Sequence, residues 1–127
     1  MPLVVDPPLM ADSSAVDQVL EILTIDICPG RRDEFHRLYI TEALPLLVKW
    51  RFRVVAHGPS LHDENTYYVI RLFKSLDDRQ ASEDAYYSSD DWKNGPRSAI
   101  LDMVEHFAYA VVSAATWQQP LSKPALA

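Results

Sequence analysis

Two stretches of this chain, Leu20 to Ile27 and Tyr67 to Phe73, are strand-like and apolar on both faces, and a helix-start signal follows each within a few residues. Successive side chains of a strand alternate, so Val19, Leu23, Ile25 and Ile27 share one face of the first stretch while Leu20 and Ile22 share the other. Neither face can be left to water. A chain of 127 residues has helices enough to cover only one of them. The other is expected to meet a second protein surface, which makes a homo-oligomer the first inference from the pattern.

The rest of the chain organises around that repeated strand-then-helix unit. Strand one is predicted over about 18–28 and stops at Pro29-Gly30, a pair that cannot continue a ladder. A helix follows, because Phe35, Leu38, Tyr39, Ala43, Leu46, Leu47 and Trp50 recur at three- and four-residue spacings and form one apolar stripe. Pro45 lies inside that stripe, where it deletes a backbone hydrogen bond and crowds the carbonyl of Thr41, so a kink or break is predicted there. Phe52 to Ala56 reads as a short strand, Gly58 to Asn65 as a turn-rich loop, and Thr66 to Lys74 as the third strand. Ser75-Leu76-Asp77-Asp78 resembles a capping box and predicts a helix to about Tyr87. Ser88 to Pro96 interrupts it, Ser98 to Phe107 is helical by the spacing of Ile100, Leu101, Val104 and Phe107, and Ala108 to Trp117 reads as a final strand.

Strand, helix, strand, strand, helix pair, strand is the split βαβ order of ferredoxin-like α+β folds, with a four-stranded antiparallel sheet. Right-handed crossovers put both helical segments on the same side of it. The bare side is expected to carry Val19, Ile25, Val69, Phe73, Tyr109 and Val111. Burying it against a twin sheet, at ~25 cal/mol for each Å² of apolar area, gives a dimeric α+β barrel. The domain is placed at residues 17–117, between an N-terminal arm at 1–16 and a proline-containing tail at 118–127.

Composition narrows the partners. Eighteen acidic against twelve basic residues give a net charge of −6, with no basic run longer than Arg31-Arg32, so the electrostatic footprint of a nucleic-acid binder is missing. No window approaches the roughly 18 apolar residues of a membrane span. Cys28 has no second cysteine to pair with, and nothing near the start resembles a secretory leader, so a cytoplasmic location is expected. His36, His57, His62 and His106 form no metal-ligand spacing, and no cofactor motif is present, so neither metal nor cofactor is expected.

The residues that could carry chemistry are few. His57 ends the second strand beside Gly58, where a side chain can look into the mouth of the sheet, although an isolated histidine is more often a hydrogen-bonded structural group. His36, on the flank of the helical stripe, is expected to be solvent-exposed. Arg71 sits mid-strand on the face of Tyr67, Val69 and Phe73 and needs a partner, for which Glu21 and Glu42 are the candidates. Tyr39 faces the sheet by periodicity and, with Tyr67, could present a phenol to a ligand. Trp92 and Arg97 lie in the irregular segment after the second helix, where they could close over a small anionic or aromatic molecule or simply plug the core and pair with an acid.

Val19-Leu20-Glu21-Ile22 leading to Pro29-Gly30, Glu42-Ala43-Leu44-Pro45-Leu46-Leu47, Phe73-Lys74-Ser75-Leu76-Asp77-Asp78-Arg79 and Asp91-Trp92 together resemble the NIPSNAP family of dimeric α/β-barrel proteins, over roughly residues 18–117. Leu23 and Ile25 stand where that family's first strand often carries an arginine and a tyrosine, a departure that bears on any polar pocket lined by strand one. The wider superfamily includes cofactor-independent monooxygenases, polyketide cyclases, lactone isomerases and haem enzymes, so the resemblance selects no chemistry. It implies a homodimer that binds a small aromatic or lipophilic molecule between sheet and helices. In a catalytic version His57 and Tyr39 or Tyr67 move a proton on a carbonyl compound, and Arg71 holds an enolate or carboxylate. The alternative is a non-catalytic binding or scaffold module whose core is filled by side chains.

Overall fold

The computed structural model describes residues 16–117; the expected arm and tail lie outside them, save for residue 16. Strand β1 (Val19–Ile27) leads through the positive-φ Gly30 into α1 (Arg32–Leu38). That helix widens into a π turn (Tyr39–Ala43) and continues as α2 (Leu44–Lys49). Strands β2 (Arg53–Pro59) and β3 (Thr66–Phe73) form the hairpin. Next come α3 (Leu76–Tyr87), the short α4 (Asp90–Lys93) and α5 (Arg97–Met103), then β4 (Val104–Ser113) and one closing turn, α6 (Ala114–Trp117).

The sheet order is β2-β3-β1-β4 with every pairing antiparallel, the expected ferredoxin-like arrangement. Pro45 does not break its helix. The π turn just before it, where the Leu44 N–H reaches back five residues to the Tyr39 carbonyl, is the form in which the proline ring is accommodated. Both buried residues of that turn, Tyr39 and Ala43, face the sheet. The capping reading of Ser75 holds: its hydroxyl accepts the Asp78 N–H at 3.0 Å, and Asp78 accepts the Lys74 N–H at 3.1 Å.

Three expectations are corrected. The last strand begins at Val104, not Ala108, because residues 25–27 of β1 need a ladder partner and find it in Phe107, His106 and Val104. Beyond Ser113 there is no β1 residue left to pair with, so the chain turns into α6 while the Ala114 N–H donates to the Gln18 carbonyl at 2.9 Å. Strand β2 extends through His57 to Pro59, with a bulge between Val54 and Ala56.

The third correction concerns the faces of the sheet. Val19, Ile25, Val69 and Phe73 lie under the helices, in one core with Phe35, Tyr39, Leu47, Tyr86, Ile100 and Met103, and Val111 packs against it. The opposite face carries Leu20, Ile70 and Leu72, with Ile22, Val55, Tyr68 and Val112 half-buried around them. The reasoning that both faces are apolar stands; the side given to the helices was the wrong one, because period-two alternation separates two faces without saying which of them the helix stripe will meet.

Candidate functional site

Between the helix layer and the sheet lies a cavity of about 280 Å³. Leu23, Ile25 and Val69 form its apolar floor, and Phe35, Ala43 and Leu47 one wall. Tyr86, Tyr87 and Trp92 form the opposite wall, their rings meeting edge-on or tilted at centroid distances of 4.8–5.8 Å. The mouth lies over β4, where Phe107 and Tyr109 line the space yet are 42% and 62% exposed. An apolar cavity of about 150 Å³ holds benzene, so this one has room for a molecule of one or two rings.

Two polar atoms in that lining have nothing to bond to. The hydroxyls of Tyr39 and Tyr86 are buried without a hydrogen-bond partner, and the residues are only 5% and 1% exposed. A buried hydroxyl left unpaired costs roughly 1–3 kcal/mol. Burial also raises both phenols, Tyr86 to about 12 and Tyr39 further, so each stays protonated and can donate. The π turn aims Tyr39, and the last turn of α3 supplies Tyr86.

At one end of the cavity is a four-residue charge cluster, of which Glu21, Arg71 and Glu83 line the space and Arg79 pairs with the two carboxylates. Glu21 and Arg71 are direct cross-strand partners on β1 and β3 and are 1% and 4% exposed. Arg71 donates through Nε to Glu21 at 2.7 Å, through Nη2 to Glu83 at 3.0 Å and through Nη1 to the Tyr87 hydroxyl at 3.0 Å, and its guanidinium lies 5.0 Å over the Phe52 ring. Arg79 donates to the other Glu21 oxygen at 2.7 Å, lies 3.4 Å from Glu83 and stacks 5.0 Å over Tyr109. Burial opposes the Glu21 charge, yet its hydrogen bond with Glu83 and the two guanidiniums hold its pKa below the ordinary value. Burial opposes the Arg71 charge as well, and Tyr87 and Glu21 outweigh that, raising its pKa. Burial, together with the hydrogen bond and charge of Glu21, pushes Glu83 up to about 7.

A second cluster sits behind Tyr39. The buried Tyr67 hydroxyl lies 2.7 Å from Nδ1 of His36 and 3.0 Å from Nδ1 of His57. A phenol has one proton, so it donates to one ring and accepts from the other, and the two imidazoles carry their protons on different nitrogens. Burial lowers His57, with a smaller contribution from His36, and raises Tyr67 to about 12. The His57 and Tyr39 rings are 5.1 Å apart.

Of the residues singled out in the sequence, Tyr39, Arg71 and Trp92 come together at the cavity. His57 and Tyr67 do not line it; they bond each other one layer away. Glu42 is exposed, and Glu21 pairs with Arg71 in its place. Arg97 is exposed at the start of α5, away from the lining. His36 is half-buried rather than free, held by Tyr67. Tyr86 and Glu83 carry no sequence signal beyond their helical spacing to one another and to Arg79. Glu21, one of two carboxylates in an otherwise largely apolar strand and already a candidate partner for Arg71, was the available clue to the cluster. Among the described residues no group of three or more His, Cys, Asp and Glu could hold a metal ion, and no helix is long and apolar enough to cross a membrane.

No protein-family model and no curated protein matches the sequence. Solved structures do match. A NIPSNAP-like domain protein from Burkholderia xenovorans superposes with a TM-score of 0.74 at 15% identity, covering 84% of this chain and 92% of that one. A NIPSNAP family protein of unknown function from Agrobacterium tumefaciens gives 0.70 at 19% identity, covering 77% and 88%. A candidate antibiotic biosynthesis monooxygenase from Bordetella bronchiseptica gives 0.62 at 20% identity, covering 83% and 99%. The likeness is one of fold: the chain has the α+β architecture of NIPSNAP proteins and of the related monooxygenase-type domains.

Proposed function

We propose that this chain, folded as the NIPSNAP proteins are, binds a small uncharged aromatic or lipophilic molecule between its sheet and its helices. The observation that carries this reading is the pair of buried, unpartnered hydroxyls of Tyr39 and Tyr86 in a cavity whose floor and walls are largely apolar and whose charged groups, at one end, already pair with one another. A hydrogen-bond acceptor on a ligand would satisfy them, and a protonated phenol can equally donate to the oxygen of an enolate, so the same donors would serve acid/base chemistry on a carbonyl compound. Arg71 already has Glu21, Glu83 and Tyr87 around it, which argues against a carboxylate ligand. A side-chain-filled scaffold would leave neither the cavity nor the free donors.

The assembly belongs to the same reading. The sheet face away from the helices carries Leu20, Ile22, Tyr68, Ile70, Leu72 and Val112, and a second copy laid against it would bury that face in a barrel.

Thermal melts with a panel of one- and two-ring ketones, phenols and aromatic acids test the binding. Neutral acceptor-bearing compounds should raise the midpoint in proportion to the logarithm of ligand concentration, acids should not, and Tyr39→Phe and Tyr86→Phe should each weaken the shift. A panel that leaves every midpoint unmoved refutes the reading. Light scattering should return twice the 14.4 kDa of one chain.

A further inference from the structure

We infer that Glu83, paired with Glu21 at the end of the cavity, takes a proton from the carbon beside the carbonyl of an uncharged ketone bound there and returns it to carbon through an enolate. The inference rests on the binding reading above and names its chemistry.

The geometry is that of two carboxyls clamped by the same two cations. Arg71 donates to Glu21 at 2.7 Å and to Glu83 at 3.0 Å; Arg79 donates to Glu21 at 2.7 Å and lies 3.4 Å from Glu83. Glu21 takes the shorter contacts from both cations and is sealed, its side chain 2% exposed. Glu83 has the longer ones and the more open side chain, at 18%. Both line the cavity. Two carboxyls in contact do not both hold full charge easily, and the better-solvated, less tightly paired member is the one that takes the proton. The groups facing Glu83 are Glu21 from β1, Arg71 from β3, Arg79 on its own helix and Tyr109 from β4 beneath Arg79; Tyr87, also on α3, bonds Arg71. Near neutrality Glu83 is thereby poised between its two forms, as a group that must act first as base and then as acid has to be.

The reaction balances without a co-reactant. The Glu83 carboxylate takes a proton from the carbon beside the carbonyl. The C–H pair becomes the C=C bond, and the carbonyl π pair moves to oxygen, where the Tyr39 or Tyr86 hydroxyl donates to it. Glu83 then returns the proton, to the same carbon or to a conjugated one, and the protein ends as it began.

The test uses 2-tetralone, a two-ring uncharged ketone, with the full chain in D₂O. Proton NMR follows exchange at its acidic carbon, and thermal melts follow binding. The wild-type chain should accelerate exchange at least tenfold over buffer, rising with pH through neutrality, and Glu83→Gln should bind the ketone but return to the buffer rate. Exchange by Glu83→Gln at the wild-type rate, or a wild-type chain that binds 2-tetralone without exchanging it, overturns the proton role and leaves the binding reading standing. A chain that binds phenols of the panel but no ketone overturns the ketone as substrate class; where another ketone of the panel binds in place of 2-tetralone, the same exchange measurement on that ketone decides the proton role. A chain that binds none of them removes both readings. Carboxyl ¹³C titration of the ligand-free wild-type chain provides a check that needs no folded variant. One glutamate should titrate near neutrality, and a set that all titrates in the ordinary range overturns the inference.

Discussion

Replacing Arg71 with methionine removes a cation that is 4% exposed and touches three groups at once: Glu21 at 2.7 Å, Glu83 at 3.0 Å and the Tyr87 hydroxyl at 3.0 Å. Methionine keeps much of the volume over Phe52 but supplies no donor. Glu21 is left at 1% exposure with Arg79 as its remaining cation, and Glu83 with a contact at 3.4 Å. Breaking a buried pair from one side costs about 3–5 kcal/mol. Arg79 persists, which places the expected loss near the lower end, about 3 kcal/mol. For a chain of 127 residues, between the small- and large-domain ranges, that is a fall of roughly 9–18 °C in melting midpoint. Urea unfolding at pH 7 and fixed chain concentration measures it. The loss should shrink as the pH falls towards 5, because the stranded carboxyls then take up protons instead of remaining as unpaired charges. Adding Glu21→Gln to Arg71→Met should recover part of the loss, a coupling of about 1–3 kcal/mol. A single mutant within about 1 kcal/mol of the parent, or strict additivity in the double mutant, would refute the view that this cluster is one electrostatic unit.

Three further outcomes are expected. Glu83→Gln should flatten the pH dependence of stability. The folded carboxyl keeps its proton up to about 7 against an ordinary 4.5, so its contribution is complete below 4.5 and lost as pH rises through about 7; melts across that window that match the parent would count against it. Gly95→Ala should cost about 2 kcal/mol or more, because the new Cβ would lie 2.3 Å from the Asp91 carbonyl oxygen, a backbone atom that cannot step aside cheaply; a neutral melt would show that the α4–α5 turn gives way. Pro45→Ala restores a donor and lets the π turn relax towards regular helix, with stability changing by less than about 1 kcal/mol and the Tyr39 ring resonances moving; a large loss would show that the wide turn is needed for packing.

The sequence by itself determined what local physics determines. Two-sided apolar strands, a single helical stripe from Phe35 to Trp50, the Ser75 cap and the order of elements led to the four-stranded antiparallel sheet, and Pro45 marked the one irregular turn of the first helix. An arginine inside an apolar strand announced a buried ion pair, and Glu21 was one of its two candidate partners. What the tertiary structure decided was anything that depended on elements far apart in the chain. Only the pairing of β1 with β4 shows that Val104 begins a strand, since residues 104–107 fit helical spacing equally well. Helix placement chose the covered face of the sheet, a choice to which alternation is blind. Packing brought Tyr86 and Tyr39, from two different helices, to one cavity without partners, and set Glu83 against Glu21 across 62 positions of sequence. Local spacing fixes which side of its own element a residue occupies; whether it ends as filler, ion pair or proton carrier depends on which other element arrives opposite, and that is settled only when the layers close.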